Sequence, residues 1–202
     1  MPNWCMNELE IMGTPDELKR FVEDSMGLPA VYTDLRGKKA ARKPTTPYFC
    51  FNALVPTPDS VKEIGFDGHD KVPELNRQYA IRGETVYPID GYYWNIANWG
   101  TKWDVYSYAI TAEEMGWREG ADSIRFEFDT AWSPPDKWLA SVARLYPTLR
   151  FKLHYEEPGC FFAGDIFASE GVSTVAEYTD AQCEDLFSWI FEDADEQMTE
   201  AM

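Results

Sequence analysis

After Lys152 the chain has no lysine and no arginine. Residues 153–202 hold thirteen acidic side chains, whereas the rest has 22 acids against 18 bases, so this segment supplies −13 of the net −17. Such a field repels phosphate backbones and draws basic partners, so direct binding to nucleic acid is not expected. No apolar run approaches the eighteen or so residues of a membrane span. The opening Met1-Pro2-Asn3-Trp4 lacks the basic and apolar stretches of a secretory leader. Cys5, Cys50, Cys160 and Cys183 are scattered, with no CxxC pair. A domain of this size does not need disulfides, so free thiols in a reducing cytoplasm are expected. Nothing matches a phosphate loop, a dinucleotide fingerprint or a nucleophile elbow, and no repeat of solenoid period is present. No cofactor and no catalytic residue is therefore expected.

Histidine is equally scarce. His154 falls on the polar side of a predicted strand, and His69 lies in Asp67-Gly68-His69-Asp70, which reads as a solvated turn before a cation site. A nucleophilic Cys5 or Cys160 needs a histidine beside it; burial as inert thiols is the simpler expectation. Glu156-Glu157 precedes Pro158-Gly159, and neighbours on a strand point to opposite faces, so the pair reads as a hairpin end. The only basic cluster, Arg36 to Lys43, reads as a solvated loop.

What the chain has is ample core material: 45% hydrophobic and 15% aromatic residues, enough for one packed domain. Cys5–Met12 reads as a strand. Thr14, Pro15 and Glu17 then form a capping box with proline at the first helical position. Leu18, Phe21, Val22 and Met26 recur at helical spacing, and Gly27 can end the helix. Tyr48–Val55 is expected as a second strand. An insert at about 56–103 holds short helices from Thr57-Pro58-Asp59, Val72–Arg82 and Tyr92–Trp99. Strands are expected at Val105–Ile110 and in the strictly alternating Ile124–Asp129. Ser133 is expected to cap a helix buried through Trp138, Leu139, Val142 and Leu145. Leu149–Tyr155 and Cys160–Ala168 form a hairpin, and Thr179 with Gln182 caps a last helix carrying Cys183, Leu186, Phe187 and Ile190. Residues 192–202 are too acidic and apolar-poor to pack, and a mobile tail is expected. The pattern predicts an α+β protein: helices on one face of a largely antiparallel sheet, in one domain over residues 1–191.

At the end of the insert stands Asn98-Trp99-Gly100-Thr101-Lys102-Trp103-Asp104. Gly100 suggests a turn at positive φ, and large rings beside a turn usually pack under it. Lys102 and Asp104, two apart, could pair on one strand face. A tryptophan-pinned strand entry is the first reading. The alternative is a ligand platform drawn from Trp94, Trp99, Lys102, Trp103, Asp104 and Trp132.

Pro2-Asn3-Trp4-Cys5 with Asn7 and Leu9, the Asn98–Asp104 stretch, Thr130-Ala131-Trp132-Ser133-Pro134-Pro135, Tyr146-Pro147 and Tyr155-Glu156-Glu157-Pro158-Gly159 together resemble the YubB-like ferredoxin-like family of phages and conjugative plasmids. The resemblance implies a ferredoxin-like two-layer sandwich and a mobile-element accessory protein with no established activity. It supplies no catalytic residues, and the scattered cysteines cannot hold an iron–sulfur cluster.

Three functions follow as expectations. The first is a non-enzymatic protein in the bacterial cytoplasm that binds a basic host protein. It would use Glu184, Asp185, Glu192, Asp193, Asp195 and Glu196 as a nucleic-acid mimic against a defence factor. The second is a ligand-binding or enzymatic domain using the tryptophan centre. The third is a structural piece of an assembly.

Overall fold

Along Trp4–Met12 the residues Cys5, Asn7, Leu9 and Ile11 are buried, while Met6, Glu8 and Glu10 point the other way, as in a strand with one wet face. The computed structural model of the chain describes residues 3–32, 46–67, 90–105 and 110–188. Their element order is β1 (Trp4–Met12), α1 (Pro15–Ser25), β2 (Met26–Gly27), β3 (Tyr48–Phe49), α2 (Phe51–Leu54), α3 (Asp59–Ile64), α4 (Gly91–Trp99), β4 (Ser123–Ala131), α5 (Asp136–Leu145), β5 (Arg150–Glu157), β6 (Phe162–Ser169), β7 (Val172–Glu177) and α6 (Asp180–Leu186).

The main sheet runs β4-β1-β5-β6-β7, antiparallel at every step. β4 and β5 flank β1 and are joined through α5. Leu9, Ile11, Phe126, Phe128, Phe151 and Leu153 bury one face against α1 and α5. From α1 come Leu18, Phe21 and Val22, and from α5 Trp138, Leu139, Val142 and Ala143. Phe126 and Phe151 turn to the helices while Arg125, Glu127, Arg150 and Lys152 share the outer face, which matches the predicted register. The α1 capping box is formed as expected: Thr14 and Glu17 each accept the other's backbone N–H.

Several expectations are corrected. The strand predicted over Tyr48–Val55 lasts two residues, pairs among the described residues with β2, donates the Phe49 N–H to Ile110 O at 2.9 Å, and then turns into α2. Phe49 and Phe51 still reach the core, with Phe49 4.8 Å edge-on to Phe126 and Phe51 4.8 Å from Trp138. α1 ends at Ser25 with Met26 as its C-cap, and Gly27 lies beyond it in β2; a Cβ on Gly27 would come within 2.8 Å of Ala53 Cβ. Ser133 does not cap α5, because its hydroxyl donates to Gly100 O at 2.7 Å and Pro135 holds the N-cap position. Leu145 is 51% exposed, and Tyr146 closes that end of the core instead. β7 was not expected at all. Its six residues are all exposed, so no alternation marks it. Residues 72–82 and 106–109, where a helix and most of a strand are predicted, lie outside the described residues, as does Ile190.

Candidate functional site

The tryptophan centre is a junction first. Gly100 takes φ +88° at the end of α4, and a Cβ there would collide with the Asp136 carboxylate and approach the Pro134 carbonyl. The bend that follows is tied down by Thr101 Oγ1 donating to Ala131 O at 3.0 Å and by Asn95 Nδ2 donating to Lys102 O at 2.8 Å. Trp99 is fully buried, donates its indole N–H to Val55 O at 3.0 Å, and packs against Phe51 and Trp94. It offers no face to a ligand, which removes it from the predicted platform. Trp94 is half-buried against the same core.

Lys102 and Asp104 part company, contrary to the predicted pairing. The Asp104 carboxylate accepts N–H bonds from Phe51 at 2.6 Å, Asn52 at 3.2 Å and Val105 at 2.8 Å, so it caps α2. Burial pushes its pKa up to about 6, against the pull of those three N–H groups. Lys102 turns outward, its ammonium 4.2 Å from the Trp103 ring centre and 5.6 Å from that of Trp132. Trp103 packs 6.0 Å from Trp4. Trp132 is 44% exposed and holds φ +74°, a left-handed backbone uncommon outside glycine, while its N–H bonds Asn3 O. Of the predicted platform, Lys102, Trp103 and Trp132 come together at the surface.

The second candidate is the outer face of the sheet. Register places Glu8 opposite Glu127 and His154, Glu10 opposite Arg125 and Lys152, and Met6 opposite Asp129 and Glu156. His154 faces two carboxylates, with Nδ1 3.1 Å from Asp165 and Nε2 2.9 Å from Glu156. Arg125 pairs with Glu8, and Lys152 reaches Asp165 at 3.9 Å. Burial, and then the charge of Glu127, hold Asp129 above the usual carboxylate range. A groove of about 460 Å³ runs over β1 at Met6 and Glu8, with Arg125, Glu127 and Asp129 of β4 on one side and His154 and Glu156 of β5 on the other.

α6 packs on this outer face, opposite the α1 and α5 layer. Cys183 and Phe187 cover Ala163, which shares its side of β6 with Asp165, and Tyr178 donates to Asp165 at 3.2 Å. Glu184 and Asp185 stand exposed on α6 as predicted. Glu192, Asp193, Asp195 and Glu196 lie outside the described residues, as do the basic cluster and His69 with Asp70. Sequence reasoning missed the joining of these charges. Glu8 and Glu10 alternate with buried residues in β1, but only strand order sets Glu8 beside Glu127 and, across His154, in line with Asp165.

All four cysteines are free thiols. Burial pushes Cys5 and Cys50 up to about 12, which suppresses thiolate. Cys160 is exposed, contrary to the expectation of burial; its hydrogen bond to Glu157 raises it as well. Glu157 is itself buried and accepts N–H bonds from Gly159 and Cys160, so it builds the turn and leaves Glu156 alone on the outer face.

No curated protein matches the sequence. Among solved structures, the chain is similar to protein api92 from Yersinia pseudotuberculosis, at 11% identity over 89% of this chain and 99% of that one, with a TM-score of 0.47. Residues 102–201 match the family model described as the ferredoxin-like domain in Api92-like protein. The match shares with the YubB-like resemblance its ferredoxin-like fold, and it covers β4 through α6 while the central strand β1 comes from the other half of the chain. Over residues 102–201 the chain is thus ferredoxin-like in fold and similar to the domain described in Api92-like protein.

Proposed function

We propose that this chain is a non-enzymatic binding protein that presents an acidic surface to a basic host protein. The observation that carries the reading is the outer sheet face. Glu8, Glu10, Glu127, Asp129, Glu156 and Asp165 gather there, and α6 adds exposed Glu184 and Asp185 beside them. Arg125 and Lys152 are drawn into ion pairs within this face, and with Arg150 they offset three of its six acids, which leaves it net negative. Glu127, Glu184 and Asp185 are exposed and the other acids partly so; carboxylates in such an array compete for Lys/Arg clefts that otherwise bind phosphates, and they raise association rates more than final affinity. The resemblance to YubB-like proteins of phages and conjugative plasmids supports a finer version: the chain acts in a bacterial host's cytoplasm as an accessory, blocking a defence protein that grips nucleic acid. The test is capture from host lysate across a salt series, followed by binding kinetics with the captured protein. A basic partner released by about 0.5 M salt is expected, where the Debye length is only about 4 Å. A partner held equally at all salt concentrations would overturn the reading.

A second reading rests on one feature, the exposed Trp132 held at φ +74° with the Lys102 ammonium between it and Trp103. Strained backbone of this kind clusters at ligand sites. A planar anion would stack on the indoles and pair with Lys102. Quenching of tryptophan fluorescence that disappears in Lys102→Met supports this reading; unchanged fluorescence across a panel of planar carboxylates and nucleotides refutes it.

A further inference from the structure

The two edges of the sheet are treated differently. At the β4 edge, the turn through Gly116 lies against the backbone of Arg125, where a Cβ on Gly116 would come within 3.3 Å of Arg125 O. Met115, beside it, is fully buried. That edge is covered at Arg125. At the other end β7 pairs with β6 along its whole length, from Gly164↔Glu177 to Ser169↔Val172, and nothing among the described residues pairs with its outer side.

Edge strands are usually protected by a charge, a proline or a bulge, because their free N–H and C=O groups accept another strand. β7 carries none of these between Val172 and Ala176, its register is unbroken, and every residue in it is exposed. The hairpin feeding it is tight: Glu170 and Gly171 have φ +52° and +77°, both left-handed as a two-residue type I′ turn requires. β7 is therefore a regular, held strand whose outer side has no partner among the described residues.

The surroundings say what would fit it. On the helix side, a groove of about 490 Å³ opens between β7 and the start of α5, floored by Tyr155, Ile166 and Val175 and walled by Pro134 and Phe162. Val175 remains 48% exposed at its mouth. Exposed Glu177 lines this apolar strip and exposed Glu170 stands at the head of β7, where Arg144 of α5 lies against Gly171; no lysine or arginine follows Lys152 in the sequence. An added strand needs apolar side chains toward the groove and basic ones toward these acids. A second copy of the chain brings the same negative charge to the contact.

We infer that β7 is a docking edge on which an extended, basic segment of a partner protein adds as a sixth strand, its apolar residues entering the groove beside Val175. The inference rests on the reading above that the partner is basic, and it adds the backbone pairing through which that partner is held.

The test uses the full chain and a labelled eight-residue peptide of alternating lysine and valine. A second peptide, N-methylated at each inner residue, keeps the charge and loses the ladder hydrogen bonds. Binding is read by fluorescence anisotropy and by amide exchange of Val172–Glu177. Expected results are at least tenfold weaker binding of the methylated peptide and at least tenfold slower exchange of β7 amides with the parent peptide. Equal binding of the two peptides, with spectral shifts on the Glu8–Glu127 face, overturns edge pairing and leaves the acidic-surface reading standing. No binding of the parent peptide also overturns the inference, and the lysate capture then judges the acidic surface separately. Protected β7 amides in a peptide-free dimer would show that a second copy occupies the edge, which likewise refutes a basic occupant.

Discussion

The carboxylate of Asp104 accepts the Phe51 N–H at 2.6 Å across a sequence separation of 53 residues. One acid thereby closes the insert against the core and converts a predicted strand into the first turn of α2. Its pKa, raised from 3.8 to about 6 by burial, sets the sign of a pH effect. The fold binds this proton more tightly than the unfolded chain does, so its contribution to stability falls as pH rises from about 4 to about 6. The shift corresponds to roughly 3 kcal/mol at about 1.4 kcal/mol per unit. Stability of wild type minus that of Asp104→Asn, from urea melts, should therefore decline across that window. A flat difference would refute the assignment. Asp104→Ala, which leaves the Phe51 and Asn52 N–H groups without their acceptor, should cost about 1–3 kcal/mol at pH 7.

The tryptophans should separate cleanly in stability. Trp99→Ala empties a fully buried site and should cost about 3–5 kcal/mol. Half-buried Trp103 should cost less, about 1–2 kcal/mol. Trp132→Gly removes an exposed ring and relieves a left-handed backbone, so it should change stability by no more than about 1 kcal/mol. Thermal melts of the three variants order them; a large loss in Trp132→Gly would make that residue part of the scaffold.

The order of the elements was readable where local rules decide. Thr14 with Glu17 and Thr179 with Gln182 mark two helix starts, and alternation in Ile124–Asp129 and Leu149–Tyr155 marks two strands. These signals are contained within a few residues. What could not be read depends on distant partners. Nothing near Phe51 announces that Asp104 will cap it, and nothing near Ser133 announces that Gly100 O will claim its hydroxyl. β7 escaped because a strand exposed on both faces has no periodicity to show. The candidate site was half legible. Lys102, Trp103 and Trp132 were picked out by type, and the charge imbalance by counting, but the acidic face is a product of strand order.

The β6–β7 hairpin gives a third expectation. Asn is favoured over Glu at the first position of a type I′ turn because it tolerates positive φ. Glu170→Asn should stabilise the protein by a few tenths to about 1 kcal/mol, whereas Gly171→Ala should destabilise it by about 1 kcal/mol. Chemical denaturation of both variants checks the pair, and equal effects would contradict the turn geometry.

Charge replacement gives a fourth. Glu184→Gln with Asp185→Asn should slow association with a captured basic partner several-fold while melting is unchanged, because exposed charges act on encounter. Stopped-flow association rates decide this, and an unchanged rate would remove α6 from the contact.

Thiol chemistry gives a fifth. Native protein should expose one cysteine, Cys160, to a thiol reagent, with Cys5, Cys50 and Cys183 reacting only on unfolding. Its carboxylate partner should also make Cys160 slower than a free cysteine at pH 8. Two or more rapidly titrating thiols in the native protein would contradict the burial.

β1 stands inside the sheet, between β4 and β5, but comes first in the chain, and both partners come more than a hundred residues later. At about 5–20 residues per second, a nascent β1 waits roughly 7–30 seconds before β5 has been synthesised. Folding is accordingly dominated by long-range pairings and belongs to the slow regime. Through that interval β1 is exposed to aggregation, and Glu8 and Glu10, alternating with its apolar residues, are the charges that keep the waiting strand from pairing with its neighbours on the polysome.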